Sequence, residues 1–319
     1  MKLLDIVHQL ILSCAMNRNV DNLLITNKKE VRKAIHKSEE DIFEYIRIIR
    51  EFLKAQSHLP EIPNDSIIEA FLITNKFSIE QTKEKLDMYY TIRTLLPECY
   101  DNKHPALSHM QDISNTLYVF PLPQLTEDML RVNVLKIKGD PKYFDAYNFI
   151  GHQMNINEIR VHEEINLGDL LLVDLENIQM GHIFKFTPVH VKKAVLILEK
   201  VYSNRIKGIH IINAPTFADK LIYMMKSVLK QKLIKRIHIH SSLKDVLEHI
   251  SADILPKDYG GNEMGLEELQ YLWNMKLKQY KDRFDNLENM RVKQDERPAK
   301  LKNDEILGYH GSFKKLEVD

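Results

Sequence analysis

The sequence predicts an α/β chain: an all-helical N-terminal domain, then a second domain built on a mainly parallel sheet with crossover helices. Three observations carry this. Between Leu170 and Gly261 lie three short aliphatic runs, Leu170 to Asp174, Gly208 to Asn213 and Arg236 to His240. Two segments of helical period separate them, and parallel neighbours joined in this way need helical crossovers. Upstream, Ser38 to Gln56 and the stretch after Ser78 place apolar residues at helical spacing. Between these regions, Tyr118 to Thr126 contains Pro121 and Pro123 and reads as a linker.

The elements follow in order. Met1 to Met16 is apolar at Leu3 and Leu10 but is interrupted by Asp5, His8 and Gln9, so it reads as an amphipathic segment too polar for a signal core. No later stretch approaches the ~20 apolar residues of a spanning helix, and a cytoplasmic protein is expected. Ile42, Tyr45, Ile46, Ile49, Phe52 and Leu53 fall on one helix opened by Ser38 with Asp41, and Pro60 and Pro63 end it. Ser78 with Gln81 opens a second helix, which carries Leu86, Tyr89, Tyr90 and Arg93 to the break at Pro97.

In the second domain, VNVLKIK (Val132 to Lys138) and YNFIGHQM (Tyr147 to Met154) read as strands. Thr187 is a natural N-cap before Pro188, and Val191, Val195, Leu198 and Tyr202 give the helix that follows one apolar side. After Pro215, Phe217, Leu221, Met224 and Val228 form one stripe, Ile222, Met225 and Leu229 a second, and Asp219, Lys226 and Lys230 fill the remaining side. Two adjacent apolar stripes exceed what a surface helix needs, although a deeply buried core helix explains the pattern equally well. Gly260 and Gly261 close the domain, Leu266 to Asn289 reads as another helix, and the polar tail beyond Arg291 is expected to wrap the surface.

The 319 residues suggest ~2 domains, and 45 Lys plus Arg against 45 Asp plus Glu leave no global field to attract nucleic acid or an anionic membrane. Cys14 and Cys99 stand far apart, which fits a reducing compartment and argues against a disulfide framework or a cysteine zinc site. Phosphate-binding words of the GxGxxG and GxxxxGK kind are absent, which weighs against a nucleotide-dependent enzyme. Asp174 and Glu176 lie on one side of a strand end, but without a nucleophile or cofactor loop they are a weak acid and base pair. His238 and His240, spaced i, i+2, share a strand face; no carboxylate or cysteine with ligand spacing joins them, so they read as a structural pair and not a metal site. Arg205, Lys207, Lys232 and Arg236 flank two neighbouring strand entries, where they could clasp phosphates or form a solvated face.

Five words in fixed order, VDLENI (Val173 to Ile178), FTP (Phe186 to Pro188), KGIHIINAP (Lys207 to Pro215), KRIHIHSS (Lys235 to Ser242) and DILPKDYGG (Asp253 to Gly261), closely resemble the CRAL-TRIO family of lipid-transfer proteins. Animal members of that family carry tocopherol or retinaldehyde. Asp65 to Tyr90 is similar to the family's helical N-terminal domain, and Gly311 to Asp319 to the tail of its insect members. The resemblance implies an extension at 1–29, a helical domain at 30–106, a lipid-binding domain with a mobile gate helix at 107–262, and a C-terminal helix with a wrapping tail at 263–319.

What it implies functionally is a non-enzymatic protein without cofactor, which binds a small hydrophobic lipid (tocopherol, retinoid, carotenoid or similar) and transfers it between membranes as a transient peripheral membrane protein. Phosphoinositides would assist release; the alternative is a phosphoinositide-sensing or lipid-presenting regulator. No nucleic-acid partner is implied. The ligand-contact positions of relatives fall on Asn155, Val173, Ile178, Ala194, Ile197, Leu198, Tyr202, Ile206 and Ile209, joined by Ile222, Met225 and Leu229 of the gate helix. Membrane-contact positions fall on Met180, Phe184, Phe217, Leu221 and Met224, and phosphoinositide-binding cations on Arg205, Lys207, Lys232 and Arg236. The chain departs from the family where an FLRAR-like word is replaced by Ala70, Ile73 and Asn75, with Lys76 the nearby substitute, and where Asn177 replaces glycine.

Overall fold

The computed structural model describes residues 20–202 and 205–298. Six helices come first: α1 (Lys28–Ala34), α2 (Glu39–Lys54), α3 (Asp65–Thr74), α4 (Ile79–Leu95), the short α5 (Pro97–Tyr100) and α6 (Ser108–Thr116). The first four are capped as their sequences require, since the side chains of Asn27, Ser38, Asn64 and Ser78 each accept a hydrogen bond from the backbone amide three residues on. In α2 the buried set is Ile42, Ile46, Ile49 and Leu53, one stripe of a 3.6-residue period.

The sheet follows with β1 (Leu117–Leu125), β2 (Leu130–Ile137), β3 (Gly168–Asp174), β4 (Ile206–Ile212) and β5 (Ile237–Ile239), in that spatial order. The first pair is antiparallel and the rest are parallel. Sequential parallel order with right-handed crossovers places every connecting helix on one face. These are α7 (Ala146–Glu163), then α8 (Met180–Lys185) and α9 (Pro188–Ile197), whose end widens into a π turn at Leu198–Tyr202, then α10 (Ala218–Val228) and α11 (Gln231–Ile234). The chain continues through α12 (Leu243–Leu247), α13 (Leu266–Gln279) and α14 (Lys281–Asn289). Across the sheet from α7, Val132, Val134, Leu170 and Leu172 share a core with Trp273 of α13, whose indole Nε1 donates to the carbonyl of Pro121 at 3.2 Å.

Several expectations change. The stretch Tyr118 to Thr126 is not a linker, because all but its last residue belongs to β1. Pro121 and Pro123 are tolerated there because β1 is an edge strand paired only with β2, and the register shifts between Pro121 and Leu125. Tyr147 to Met154 is the first half of α7 and not a strand. Asp145 caps it by accepting from Asn148 N at 2.8 Å. Burial on several sides of α7, at Ile150, Met154, Ile156 and Ile159, removes the polar face that would have revealed a helix. Leu266 to Asn289 is two helices broken at Tyr280, whose hydroxyl donates to Glu163 Oε1 at 2.8 Å.

The N-terminal region also begins earlier than its helices. Leu23 and Leu24 are buried against the sheet core, and Ile25 N donates to Pro123 O at 2.9 Å. The amphipathic reading of residues 1–16 and the insect-like ending at 311–319 lie outside the described residues. The start of the tail does run back across the N-terminal helices: Lys293 N donates to His58 O at 2.9 Å and Arg297 Nη1 to Asp87 Oδ2 at 2.8 Å. Gly261 permits the close of the DYGG word, since a Cβ there would lie 1.9 Å from Leu255 O. Among the described residues, no helix is long and apolar enough to cross a membrane.

The helical region and the crossover helices share one interior. Ile49, Ile68, Leu72 and Tyr90 belong to the same buried cluster as Ile150 and Met154 of α7 and Ile197 of α9. At its centre Glu158 of α7, 1% exposed, accepts from Tyr89 Oη at 2.7 Å, Arg93 Nη2 at 3.2 Å and Arg283 Nε at 2.9 Å. One carboxylate thereby joins α4, α7 and α14.

Candidate functional site

A cavity of about 140 Å³ lies between the helical face of the sheet and helices α7 and α9. Leu135, Leu171, Val173 and Ile206 form its floor, Phe149 and Met154 of α7 one wall, and Ala194 and Leu198 another. The register explains the floor: Leu135 pairs with Val173 and Asn133 with Leu171, so alternate residues of neighbouring strands point to the same face. The surface it presents is almost wholly carbon.

One end is polar and closed by ion pairs. Arg160 donates to Asp169 Oδ1 at 2.6 Å, Glu164 Oε2 at 3.0 Å and Asn133 Oδ1 at 3.2 Å. Arg131 Nε donates to Glu164 Oε1 at 3.1 Å, and its other nitrogens reach the carbonyls of Leu122, Pro123 and Ile25. Burial alone would raise the pKa of Glu164, but the guanidinium groups of Arg131 and Arg160 hold it at about 2. Two cations and two carboxylates thus neutralise one another. Asn157, which lines the same end and is buried, has an Nδ2 with no acceptor among the described residues. A buried amide donor at this end of the cavity is therefore left without a partner.

The expected pocket positions divide. Val173, Ala194, Leu198 and Ile206 line the cavity. Ile178, Ile209 and Ile222 instead gather in a neighbouring cluster beneath α10, with Leu175 and Ile211. Met225 and Leu229 are half-buried on the α10 side and off the cavity wall. Asn155 is turned away, because the cavity side of α7 runs through Ile150, Gln153, Met154 and Asn157; its Nδ2 donates to Lys103 O at 2.7 Å. Ile197 precedes the cavity-facing Leu198 by about 100° of helix turn and is fully buried in the core shared with α2 to α4. Tyr202 flanks a separate, smaller opening with Arg160 and Arg205, its ring edge-on to Tyr89 at 6.3 Å between centroids. Sequence reasoning missed Leu171, which strand alternation with Val173 could have supplied, and Phe149, Met154 and Asn157, which the strand reading of α7 concealed.

A larger hollow of about 330 Å³ lies away from the sheet, between α6, α7 and α13, beside Gln111, Ser114, His152, Asn274 and Lys278. Its walls are mixed in polarity, and burial pushes His152 down to about 4.

The segment expected to act as a gate is α10. It has 11 residues, of which only Ala218 and Ile222 are buried, and no side chain caps its N-terminus. Phe217, Leu221, Met224 and Met180 are half-buried, whereas Phe184 is 73% and Tyr223 78% exposed. Tyr223 falls on the polar side with Asp219 and Lys226, and the pattern of apolar stripes did not single it out.

Of the four cations, Lys207 and Lys232 are exposed. Arg205 is engaged: its Nε and Nη2 donate to the carbonyls of Thr74 and Ile73 at 2.9 and 2.7 Å, closing the C-terminus of α3. Arg236 Nη1 donates to Ile206 O. All four stand at one end of the sheet, as parallel pairing requires, but both arginines are spent on backbone carbonyls. Asp174 has a structural role, accepting from Tyr259 Oη, Asn213 Nδ2 and Glu176 N and pairing with Lys136 at 2.8 Å. The pair His238 and His240 is joined by His210 and His249, which sequence spacing did not connect.

The site is thus a carbon-walled cavity between a mainly parallel sheet and its crossover helices. Comparison with known proteins agrees. A family model described as CRAL/TRIO domain matches residues 129–261, and one described as Pinta-like, UBA domain matches residues 38–110. Residues 129–261 thus match a CRAL/TRIO domain, and the chain is related to the alpha-tocopherol transfer protein-like proteins. It is 26% identical over 255 residues to "Alpha-tocopherol transfer protein-like" of Mus musculus, covering 78% of this chain and 73% of that one. It is also 32% identical over 95 residues to "Clavesin-2" of Homo sapiens, covering 30% and 29% of the two chains. Among solved structures, "Crystal structure of Sfh5" gives a TM-score of 0.47 at 11% identity, covering 80% of this chain and 100% of that chain. The relationship supports a non-catalytic protein of the lipid-transfer class.

Proposed function

We propose that the protein carries one small hydrophobic lipid bearing a single hydroxyl or carbonyl oxygen, holds it between α7, α9 and the sheet, and passes it between membranes. The observation that carries this reading is the cavity itself, whose walls are almost all carbon and whose polar end offers the unpartnered amide of Asn157. Each Å² of apolar ligand surface buried there contributes roughly 25 cal/mol. A tocopherol, retinoid or carotenoid shares this chemistry, so the ligand is proposed by class.

At about 140 Å³ the cavity is smaller than the roughly 300–1,000 Å³ of drug-sized ligand sites. It is the closed form, and loading requires a wall to move. The crossover helix α10 is lightly held, seated through Ala218 and Ile222 alone, and it packs against α9, which supplies Ala194 and Leu198. Displacing α10 would free α9 to swing at its π turn. The exposed Phe184 and Tyr223, with the half-buried Met180, Phe217, Leu221 and Met224, supply apolar contact for a bilayer during that step. In this reading the protein is cytoplasmic and visits membranes transiently, and phosphoinositide phosphates meet Lys207 and Lys232 before either arginine. Arg205 joins only by leaving the carbonyls of Ile73 and Thr74.

Ala194→Trp tests the site by filling it. Loading with a fluorescent apolar ligand should fall at least tenfold while the circular dichroism spectrum and melting temperature stay near wild type. Undiminished loading would remove the cavity from the function. In parallel, Asn157→Leu should lose the preference for a hydroxylated ligand over its deoxy analogue, a preference of roughly 2- to 13-fold for one net hydrogen bond.

A further inference from the structure

On the sheet face opposite the cavity, four imidazoles converge from three separate places in the sequence: His210 from β4, His238 from β5 with His240 just after it, and His249 just beyond α12. The His210 ring centroid lies 5.2 Å from that of His240, 4.9 Å from His249 and 5.3 Å from His238. His240 and His249 are 5.5 Å apart, His238 and His249 5.7 Å, and only His238 and His240, two residues apart in sequence, open to 6.5 Å. A Zn–N bond of about 2.0–2.1 Å sets neighbouring imidazole centroids of a tetrahedral site about 5 Å apart. Five of these six separations lie within an ångström of that figure.

We propose that His210, His240 and His249 bind one Zn²⁺ ion, with His238 placed to complete the tetrahedron. The ligand nitrogens of the first three lie within 4.8 Å of one another. His210 Nδ1 and His240 Nε2, now 2.9 Å apart, share a hydrogen bond. Zn–N bonds of about 2.0–2.1 Å hold tetrahedral nitrogens roughly 3.3 Å apart, so these two need separate by only a few tenths of an ångström. The site is built for close rings, since a Cβ on Gly208 would stand 2.7 Å from His210 Nε2.

Burial, with the neighbouring imidazoles, pushes His210 down to about 4, which leaves it neutral with a lone pair to give at pH 7. The same causes lower His240. The carboxylates of Asp245 and Glu248 lie close enough to favour a cation beside His240. His249 and His238 are exposed and leave an entry path. An all-imidazole donor set suits a borderline ion such as Zn²⁺ and not Mg²⁺ or Ca²⁺, which take oxygen ligands. Bound there, the ion would tie β4 to β5, the three-residue edge strand on the far side of the gate crossover.

The test uses the full chain without an affinity tag, stripped by a chelator and titrated with ZnCl₂ against a chromophoric competitor, with MgCl₂ as control. One Zn²⁺ per chain is expected, and His240→Ala and His249→Ala should each weaken it at least tenfold, while His104→Ala, far along the chain, leaves it unchanged. His249 is exposed, so that variant keeps its fold, which far-ultraviolet circular dichroism checks. Substitution by CoCl₂ should give the visible absorption of a four-coordinate ion in wild type and lose it in His249→Ala. Affinity weaker than millimolar, or affinity unmoved by both variants, overturns the site.

Discussion

Glu158→Gln isolates the carboxylate that joins α4, α7 and α14. Glutamine keeps the shape and can still accept from Tyr89, so the change removes charge and little else. Arg283 keeps a second carboxylate, Glu61 at 2.8 Å, but Arg93 pairs with no other carboxylate among the described residues and is buried. Breaking a buried pair costs about 3–5 kcal/mol, and the hydrogen bonds glutamine retains place the expectation near the low end, about 3 kcal/mol. Against a total of ~5–15 kcal/mol this is a large share.

The pH dependence has a definite sign. Burial would raise the pKa of Glu158, but the neighbouring His162 ring and the guanidinium groups of Arg93 and Arg283 hold it well below the usual carboxylate range. Its contribution is therefore present above the unfolded value of about 4.3 and is lost as pH falls below that. Urea unfolding at pH 7, 5, 4 and 3 should show wild type ahead by about 3 kcal/mol at neutral pH, with the gap narrowing below pH 4.5. A gap under about 1 kcal/mol at pH 7, or one that does not change with pH, would refute the reasoning, because a shape effect carries no proton linkage.

Two further outcomes follow from the surface. Phe217→Asp with Leu221→Asp should weaken binding to neutral liposomes and slow ligand transfer from donor vesicles in stopped flow by at least fivefold, leaving equilibrium ligand affinity within twofold; an unchanged rate at matched stability removes α10 from the membrane contact. Lys207→Ala with Lys232→Ala should weaken binding to phosphoinositide vesicles by about 2 kcal/mol at low salt, roughly 1 kcal/mol per cation, and the loss should shrink as salt rises. Arg205→Ala should act differently, lowering the melting temperature because the carbonyls of Ile73 and Thr74 lose their donor, with little change in vesicle binding.

The strands and caps of this fold were legible because their causes are local. Ser38, Ser78, Thr187 and Pro188 do what their types do at helix starts, and the aliphatic runs of β3 and β4 admit few alternatives. The failures share one physical origin: their environment is set by partners distant in sequence. β1 looks like a linker until its edge position makes its prolines harmless, and α7 looks like a strand because the sheet and the N-terminal helices bury more than one of its sides. That second misreading propagated into the site, since Phe149, Met154 and Asn157 become visible only once α7 is a helix. The histidine cluster was hidden for the same reason, His210 and His249 being far apart in the sequence and adjacent only through β4, β5 and the turn after α12.

Arg205 shows why a position can match a family while its task changes. It bonds the carbonyls that end α3, in an opening that the buried Ala70 helps to line. An arginine at position 70 would set a second guanidinium beside it, and like charges at close range oppose one another. The departures at Ala70, Ile73 and Asn75 and the inward placement of Arg205 are therefore one arrangement: a half-buried brace between the helical region and the sheet, with Asn75 itself turned in to donate to Phe71 O at 2.8 Å. What remains outward at this end is Lys207 and Lys232, compact point charges without the planar fork that reads phosphate geometry. In the proposed reading the chain would therefore sense anionic surface charge more than head-group pattern, and selectivity for its cargo would rest on the cavity between α7, α9 and the sheet.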